Sequence, residues 1–178
     1  MIYFTSDTHF NHDRDFVYGP RGFSSIADAD ETIISNWNST VGPGDDIYVL
    51  GDFFLGSNMD YIQNVVAGLN GNIYLALGNH DTPAKYTLYM SMPNIKEVSM
   101  AYVLKHNGIE FYASHYPTLT ENMNSHCVIV NLHGHTHDTQ KFKKIDNSLL
   151  YNVAVDAHNN TPVSIDQIMQ DLTAEGVL

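Results

Sequence analysis

Residues 73–81 read IYLALGNHD, an apolar run that ends abruptly in glycine, amide, imidazole and carboxylate groups. A short apolar run closed by turn-forming residues is typical of a buried strand. Two earlier runs follow the same pattern, since residues 2–6 are followed by Asp7-Thr8-His9 and residues 47–50 by Gly51-Asp52. We therefore predict three buried strands, each ending in side chains that are capable of chemistry.

Helical segments separate these strands. Residues 27–41 and 59–69 carry apolar side chains at the helical repeat, and the stretch VGPGDD at 41–46 supplies a stop signal. Alternating strands and helices favour βαβ units and a sheet of mainly parallel strands. In such a sheet, functional groups belong at the carboxyl ends of the strands.

The second half of the chain is richer in strands. We predict strands over five segments and a hairpin turn at His106-Asn107-Gly108. A helix from Ile165 to about Ala174 closes the chain. No internal repeat or linker interrupts the sequence, so we predict one domain over residues 1–178. The five predicted strands are 97–104, 109–114, 127–132, 150–155 and 163–165.

Composition limits the classes of function. The 178 residues are 43% hydrophobic and 16% charged, which fits a globular domain with a sizeable core. Eight Lys and Arg against 20 Asp and Glu give a formal charge of −12, which argues against binding to duplex nucleic acid. Cys127 alone cannot form an internal disulfide, and no apolar run approaches the roughly 20 residues of a membrane span. We expect a soluble, cytoplasmic protein with no membrane partner.

Two more segments add potential metal ligands. His115 directly follows the predicted strand 109–114, and residues 133–137 read HGHTH after the strand 127–132. Spacings of two residues, in Asp7-x-His9 and His135-x-His137, place both side chains on the same face of a strand. Oxygen and imidazole donors without thiolate suit Mn²⁺, Fe or Zn²⁺, and there are enough of them for two ions. A two-metal hydrolytic site is the resulting hypothesis.

These blocks, in the order DTH, GD, GNHD, a lone His and GHTH, resemble those of the calcineurin-like metallophosphoesterase superfamily. The opening SDTHFNH, with the later NWN and GDFF, looks like that of small bacterial and phage-type members. The resemblance implies an α/β fold, namely a four-layer α/β/β/α sandwich with two sheets between outer helices. It also implies a cofactor of two divalent metal ions, with Mn, Fe, Zn and Ni as candidates.

The resemblance also implies a role for each matching residue. One metal would be bound by Asp7, His9 and His137, the other by Asn79, His115 and His135, and Asp52 would bridge the two. A hydroxide held between the metals would attack phosphorus in line. The catalytic side chain would be His80, acting near the leaving group as a general acid or as a stabiliser of charge.

The expected activity is hydrolysis of a phosphomonoester or phosphodiester, on a small or nucleotide-like substrate. One departure from the family disfavours phosphoprotein substrates, because Leu55 stands where the protein phosphatases carry an acid that supports the catalytic His. Asp81 is a candidate to orient a neighbouring group instead. Candidate substrate contacts are Asn11, His12 and Arg21, whereas Arg14 is most simply a solvated cation.

Alternative readings remain open. One is a metal-dependent nuclease, which the acidic charge and the lack of a DNA-binding domain disfavour. Another is a non-catalytic scaffold on the same fold, but such a protein would be expected to have damaged ligand blocks, and those of this sequence are intact. A metallo-β-lactamase-like hydrolase would want Asp where His137 stands. Oligomeric state is left undetermined. Three histidines outside the blocks need no functional role, namely His106, His126 and His158, whereas His133 either lines the pocket or packs within its strand.

Overall fold

The computed structural model describes residues 1–120 and 128–178. Within them the chain forms ten strands and five helices. The strands are β1 (Ile2–Thr5), β2 (Asp46–Leu50), β3 (Asn72–Ala76), β4 (Ile95–Ser99), β5 (Ala101–His106), β6 (Ile109–Ser114), β7 (Val128–His133), β8 (Phe142–Ile145), β9 (Ser148–Asn152) and β10 (Val163–Ser164). The helices are α1 (Asp15–Tyr18), α2 (Ile26–Thr40), α3 (Met59–Gly68), α4 (Pro83–Tyr89) and α5 (Ile165–Ala174).

The first sheet has the strand order β10-β1-β2-β3-β4. Strands β1 to β4 are parallel, and only β10 at the edge runs antiparallel to its neighbour. Thr5 pairs with Val49, and Leu50 pairs with Ala76, so the strands end level with one another. The loops that follow β1, β2 and β3 therefore meet at one edge of the sheet, as the alternation of strands and helices predicts.

Helices α2 and α3 begin at residues that cap them. The side chain of Ser25 accepts a hydrogen bond from the main-chain N–H of Asp28, and that of Asn58 accepts one from Tyr61. Such caps satisfy donors that the first turn of a helix leaves unpaired. Both helices bury their apolar faces against the first sheet, with Trp37 fully buried at the centre of this core.

The second sheet has the order β5-β6-β7-β9-β8 and packs against the other face of the first sheet. Phe4 and Leu50 of the first sheet share a core with Phe111 and Val130 of the second, and α5 adds Ile168. The result is a mixed α/β fold with two sheets flanked by helices, which confirms the predicted fold class. This packing brings the loops after β6 and β7 to the same edge as those after β1, β2 and β3.

Several predicted elements agree with the structure. The strand 109–114 and the helix 165–174 have the predicted bounds. The turn between β5 and β6 places Asn107 at φ 48° and Gly108 at φ 82°, as a tight hairpin turn requires. Cys127 and His126 lie outside the described residues.

Other predictions of secondary structure were wrong. The single strand predicted over 97–104 is two strands, because the chain bends at Met100 and passes from the first sheet to the second. The strand predicted over 150–155 runs instead from Ser148 to Asn152 and is followed by a short 3₁₀ turn, Val155–Ala157. Strand β8 and helices α1 and α4 were not predicted. Among the described residues, no helix has the length and apolar character needed to cross a membrane.

Candidate metal centre

The loops after five strands converge at one edge of the two sheets. The main-chain N–H of Asp7 donates to the carbonyl of Gly51 (3.1 Å), and that of Gly134 donates to the carbonyl of His115 (3.0 Å). These bonds connect the loop after β1 to that after β2, and the loop after β7 to that after β6. Within each sheet, backbone hydrogen bonds thus tie neighbouring loops of this edge together and can hold their side chains in defined positions.

The first group of ligand atoms consists of Asp7, His9 and His137. The Nε2 atoms of His9 and His137 lie 3.2 Å apart, and each lies 3.8 Å from Oδ1 of Asp7. Asp7 and His9 are buried. Three ligand atoms of this kind can share one cation.

The second group consists of Asn79, His115 and His135. Nε2 of His115 lies 2.9 Å from Oδ1 of Asn79 and 3.1 Å from Nδ1 of His135. Asp52 lies between the groups, because its Oδ2 is 3.7 Å from Nε2 of His9 and 3.6 Å from Nε2 of His115. The structure therefore brings together all seven residues that the sequence suggests as ligands, with Asp52 in the middle.

The donor set fits divalent cations. Oδ1 of Asp7 is buried and finds no hydrogen-bond partner among the described residues, although it faces two imidazole nitrogens. Nδ1 of His115 lies 2.9 Å from the carbonyl oxygen of Leu50, which places the ring hydrogen there and leaves the Nε2 lone pair facing the centre. Burial and neighbouring cationic groups lower the pKa of His9 to about 2, so its ring is neutral. Neutral imidazoles and carboxylates are the ligands that such ions require.

A second set of residues orients these ligands. Oδ2 of Asp7 accepts hydrogen bonds from Ser6 Oγ (2.6 Å) and from the main-chain N–H of His135 (2.9 Å). Nδ1 of His137 lies 3.1 Å from Oδ2 of Asp156. Burial acts to raise the pKa of Asp156, but hydrogen bonds from His137 and Arg21 lower it to about 2. A carboxylate that accepts a hydrogen bond from a ligating imidazole fixes the orientation of the ring and makes the ring a stronger ligand.

The backbone of the centre is strained. Five of the seven ligands have φ in the left-handed region, where side chains with a Cβ atom are disfavoured. Strain of this kind persists only where the surrounding structure enforces it, and it concentrates at functional sites. The five are Asp7 (55°), His9 (49°), Asp52 (51°), His135 (69°) and His137 (52°).

Comparison with known proteins agrees with this arrangement. Residues 1–175 match the calcineurin-like phosphoesterase family. The chain belongs to this family. A relative from Methanocaldococcus jannaschii, an uncharacterized protein, is 32% identical over 171 residues, which are 95% of this chain and 89% of the relative.

Two solved structures resemble the chain in fold at low sequence identity. A protein of unknown function from Aquifex aeolicus superposes with a TM-score of 0.71 and 23% identity, over 96% of this chain and 98% of its own. An archaeal phosphodiesterase superposes with a TM-score of 0.51 and 18% identity, over 85% of this chain and 81% of its own. At these identities the superpositions establish the shared fold.

His80, which the sequence analysis suggests as the catalytic residue, lies beside the two ligand groups. Its Nε2 is 3.8 Å from Oδ2 of Asp52, and its side chain is 42% exposed. Its ring meets that of His9 edge-on, with centroids 5.4 Å apart. The main-chain N–H of His80 donates to Oδ1 of Asp52 (2.9 Å), which ties the loop of His80 to the central carboxylate. The ring of His80 is thus both accessible to solvent and close to the candidate metal centre.

The suggested substrate contacts occupy three different environments. Arg21 is only 4% exposed, and its guanidinium donates to both oxygens of Asp156 and to the carbonyls of Asp7 and Thr8. With its donors occupied in this way, Arg21 positions the ligand loop, and substrate contact does not suit its placement. The main-chain N–H of Asn11 donates to buried Asp30. Of the three, His12 lines a cavity together with His80.

The structure places three further residues in contact with the loops of this site that the sequence analysis did not single out. Asp156 follows β9 at the same edge of the sheets, so an acid near a strand end was an available signal. Lys85 is 2% exposed on α4, and its Nζ donates to the carbonyls of Phe54, Leu55 and His80. Nothing in the sequence marks this lysine as buried. Tyr89 donates to Oδ1 of Asp81 (3.0 Å).

The carboxylate of Asp81 fills the orienting role suggested for it. Its Oδ2 accepts hydrogen bonds from the main-chain N–H groups of Asp52 (2.9 Å) and Gly78 (2.8 Å). Burial raises the pKa of Asp81. Asp81 therefore joins the second and third ligand loops by bonds to the backbone rather than to a catalytic side chain.

Proposed function

We propose that this chain is a metal-dependent hydrolase of phosphate esters that acts on a small or nucleotide-like monoester or diester in the cytoplasm. The observation that supports this proposal is the convergence of six lone-pair donors, in two groups of three, around a seventh, Oδ2 of Asp52. Membership in the calcineurin-like phosphoesterase family supports the same reaction class. The archaeal structural neighbour described above is itself a phosphodiesterase.

Each group of side chains has its own task in this proposal. Asp7, His9 and His137 would hold one divalent ion, Asn79, His115 and His135 the other, and Asp52 both. When bound, such an ion pair supplies positive charge to the phosphoryl oxygens and activates water as a nucleophile. The buried carboxylates and the strained loops keep the donor atoms in place before a substrate arrives.

His80 would act on the ester itself. Its exposed ring stands beside the central carboxylate, so a phosphoryl group at the centre would lie within its reach. From that position the imidazole donates a proton to the leaving oxygen or stabilises charge that develops in the transition state. Lys85 holds the carbonyl of His80 and thereby positions the loop that carries the ring.

The charge of the chain favours small substrates over duplex nucleic acid. A formal charge of −12 repels a polyanionic backbone, whereas one phosphate group at a bound cation pair is attracted. A nuclease is therefore the weaker proposal. A non-catalytic scaffold is weaker still, because the ligand side chains are all present and face one another.

The decisive experiment removes metal from the protein and restores Mn²⁺, Zn²⁺, Ni²⁺ or Mg²⁺ one at a time. Hydrolysis of p-nitrophenyl phosphate and bis-p-nitrophenyl phosphate is measured for wild type, for Asp52→Asn, and for Asp60→Asn as a control on the exposed first turn of α3. We expect metal-dependent turnover in wild type and in the control. In Asp52→Asn we expect a loss of at least about 100-fold, since electrostatic groups at a reacting centre are each worth that much.

Metal content is measured on the same samples by elemental analysis. Two equivalents bound per chain in wild type, and fewer in Asp52→Asn, are the expected results. Absence of turnover with every metal, despite two bound equivalents, would contradict the proposed activity on these esters. Turnover that persists without metal would contradict the role of the centre.

A further inference from the structure

A cavity of about 360 Å³ opens directly beside the metal centre. One wall is formed by histidines of the centre, since His9, His80 and His137 line it. Another part of its lining, called the apolar wall below, carries Phe16 and Val17. The volume falls within the range of small-molecule binding sites, roughly 300–1,000 Å³. A molecule in this cavity would contact the metal ligands and the apolar wall together.

The apolar wall is attached to the ligand loop at both ends. The main-chain N–H of His12 donates to the carbonyl of His9 (3.1 Å), just before the wall begins. At the other end, the guanidinium of Arg21 donates to the carbonyls of Asp7 (2.8 Å) and Thr8 (3.2 Å). The wall therefore has a fixed position relative to the metal ligands, as a subsite for part of a substrate requires.

Phe16 is the unusual member of this wall. Its side chain is 69% exposed, and none of the four residues of α1 is buried, so the helix adds nothing to the core. The ring of His12 meets that of Phe16 edge-on, at a centroid distance of 5.9 Å and an angle of 86°. This contact supports the phenyl ring from one side and leaves much of it open. An exposed aromatic face next to a reacting centre is suited to stacking on a flat ring.

We propose that this cavity binds the organic part of the phosphate ester, and that Phe16 selects esters that carry a flat aromatic group, such as a nucleobase. The inference rests on the proposed function, because it takes the phosphoryl group to lie at the metal centre. It narrows the substrate class from phosphate esters in general to aromatic ones. The small volume also excludes a base-paired duplex from the cavity, in agreement with the acidic charge of the chain.

A kinetic experiment tests the selection. KM and kcat are measured for wild type, Phe16→Ala and Phe16→Trp on p-nitrophenyl phosphate and adenosine 5′-monophosphate, and on glycerol 2-phosphate as an aliphatic ester. If only diesters are hydrolysed, bis-p-nitrophenyl phosphate and glycerophosphocholine replace them. Each variant is compared with wild type on the same ester, so differences in leaving-group reactivity cancel.

We expect Phe16→Ala to raise KM for the aromatic esters about tenfold, the effect of losing one stacking partner, and to change KM for the aliphatic ester less than twofold. Phe16→Trp retains a stacking face and should keep KM for the aromatic esters near the wild-type value. Tyr86→Ala is the matched control, because Tyr86 is a 40% exposed aromatic residue that does not line the cavity. An equal rise in KM for both kinds of ester, or none for either, would overturn the proposal.

A binding experiment separates the subsite from the hydrolytic activity. Adenosine has no phosphate to hydrolyse, and its contact with the metal-free protein is measured by saturation-transfer NMR. We expect saturation transfer to adenosine from wild type and from Tyr86→Ala, and none from Phe16→Ala. If this pattern holds while no ester is hydrolysed, the proposed function fails and the aromatic subsite stands. If esters are hydrolysed but neither KM nor adenosine binding depends on Phe16, the subsite fails and the function stands.

Discussion

The ammonium group of Lys85 donates a hydrogen bond of 2.8 Å to the main-chain carbonyl of His80. The same group also donates to the carbonyls of Phe54 and Leu55, in the loop that follows the central carboxylate of Asp52. Burial lowers the pKa of Lys85. Three carbonyl acceptors satisfy the three hydrogens of one ammonium, so this buried cation joins the two loops through main-chain carbonyls.

Replacement of this lysine should therefore reduce the stability of the fold. Lys85→Met keeps most of the aliphatic volume but leaves three carbonyls without their donor, which we expect to cost about 2–4 kcal/mol of unfolding free energy. Denaturant unfolding measures this loss. Lys96→Met is the control, since Lys96 is exposed and its ammonium donates to the carbonyl of Pro93 nearby on the surface. Equal stability of the two variants would show that the bonds of Lys85 are unimportant.

Hydrogen bonds connect Arg21 to Asp156 and Asp156 to His137, so a change at Arg21 should affect metal affinity indirectly. Arg21 donates from two nitrogens to the two oxygens of Asp156, and Asp156 orients the ring of His137. Lysine cannot form this two-pronged contact, so Arg21→Lys should weaken Mn²⁺ binding about 10–100-fold, the usual effect of losing support behind a ligand. Calorimetric titration measures the affinity. Arg14→Lys, at an exposed position, should bind Mn²⁺ as wild type does.

Close approach of the backbone makes Gly134 indispensable. A Cβ atom at this position would lie 2.0 Å from Oδ2 of Asp7 and from Oγ of Ser6. Gly134→Ala must displace Asp7, a proposed metal ligand, and we expect a loss of about 1–3 kcal/mol in unfolding free energy. Weaker metal binding should accompany it. Gly44→Ala is the control, because no atom lies within 4 Å of its added Cβ. Unchanged metal affinity in Gly134→Ala would contradict the geometry of the centre.

The sequence predicts the ligands of the centre better than their supports. Each ligand stands directly after an apolar strand, and the ends of parallel strands meet, so local pattern is sufficient to bring Asp7, Asp52 and Asn79 together. The sequence suggests Arg21 as a substrate contact, whereas the structure bonds its guanidinium to Asp156. An arginine near the site looks the same in the sequence in either role. The bend at Met100 escaped prediction for a related reason, since β-strand pattern continues through it and only the packing of two sheets separates β4 from β5.

Comparison of leaving groups tests the role of His80. If the ring donates a proton to the departing oxygen, His80→Ala should lose about 100-fold in kcat on alkyl esters and much less on p-nitrophenyl esters, because a good leaving group needs no proton. If the ring only stabilises charge, the loss should be similar for all esters. The slope of log kcat against leaving-group pKa measures the difference. His106→Ala is the control, because His106 lies on β5 and pairs with Asp166, outside both ligand groups. A steeper slope in His80→Ala than in this control establishes proton donation, and parallel slopes exclude it.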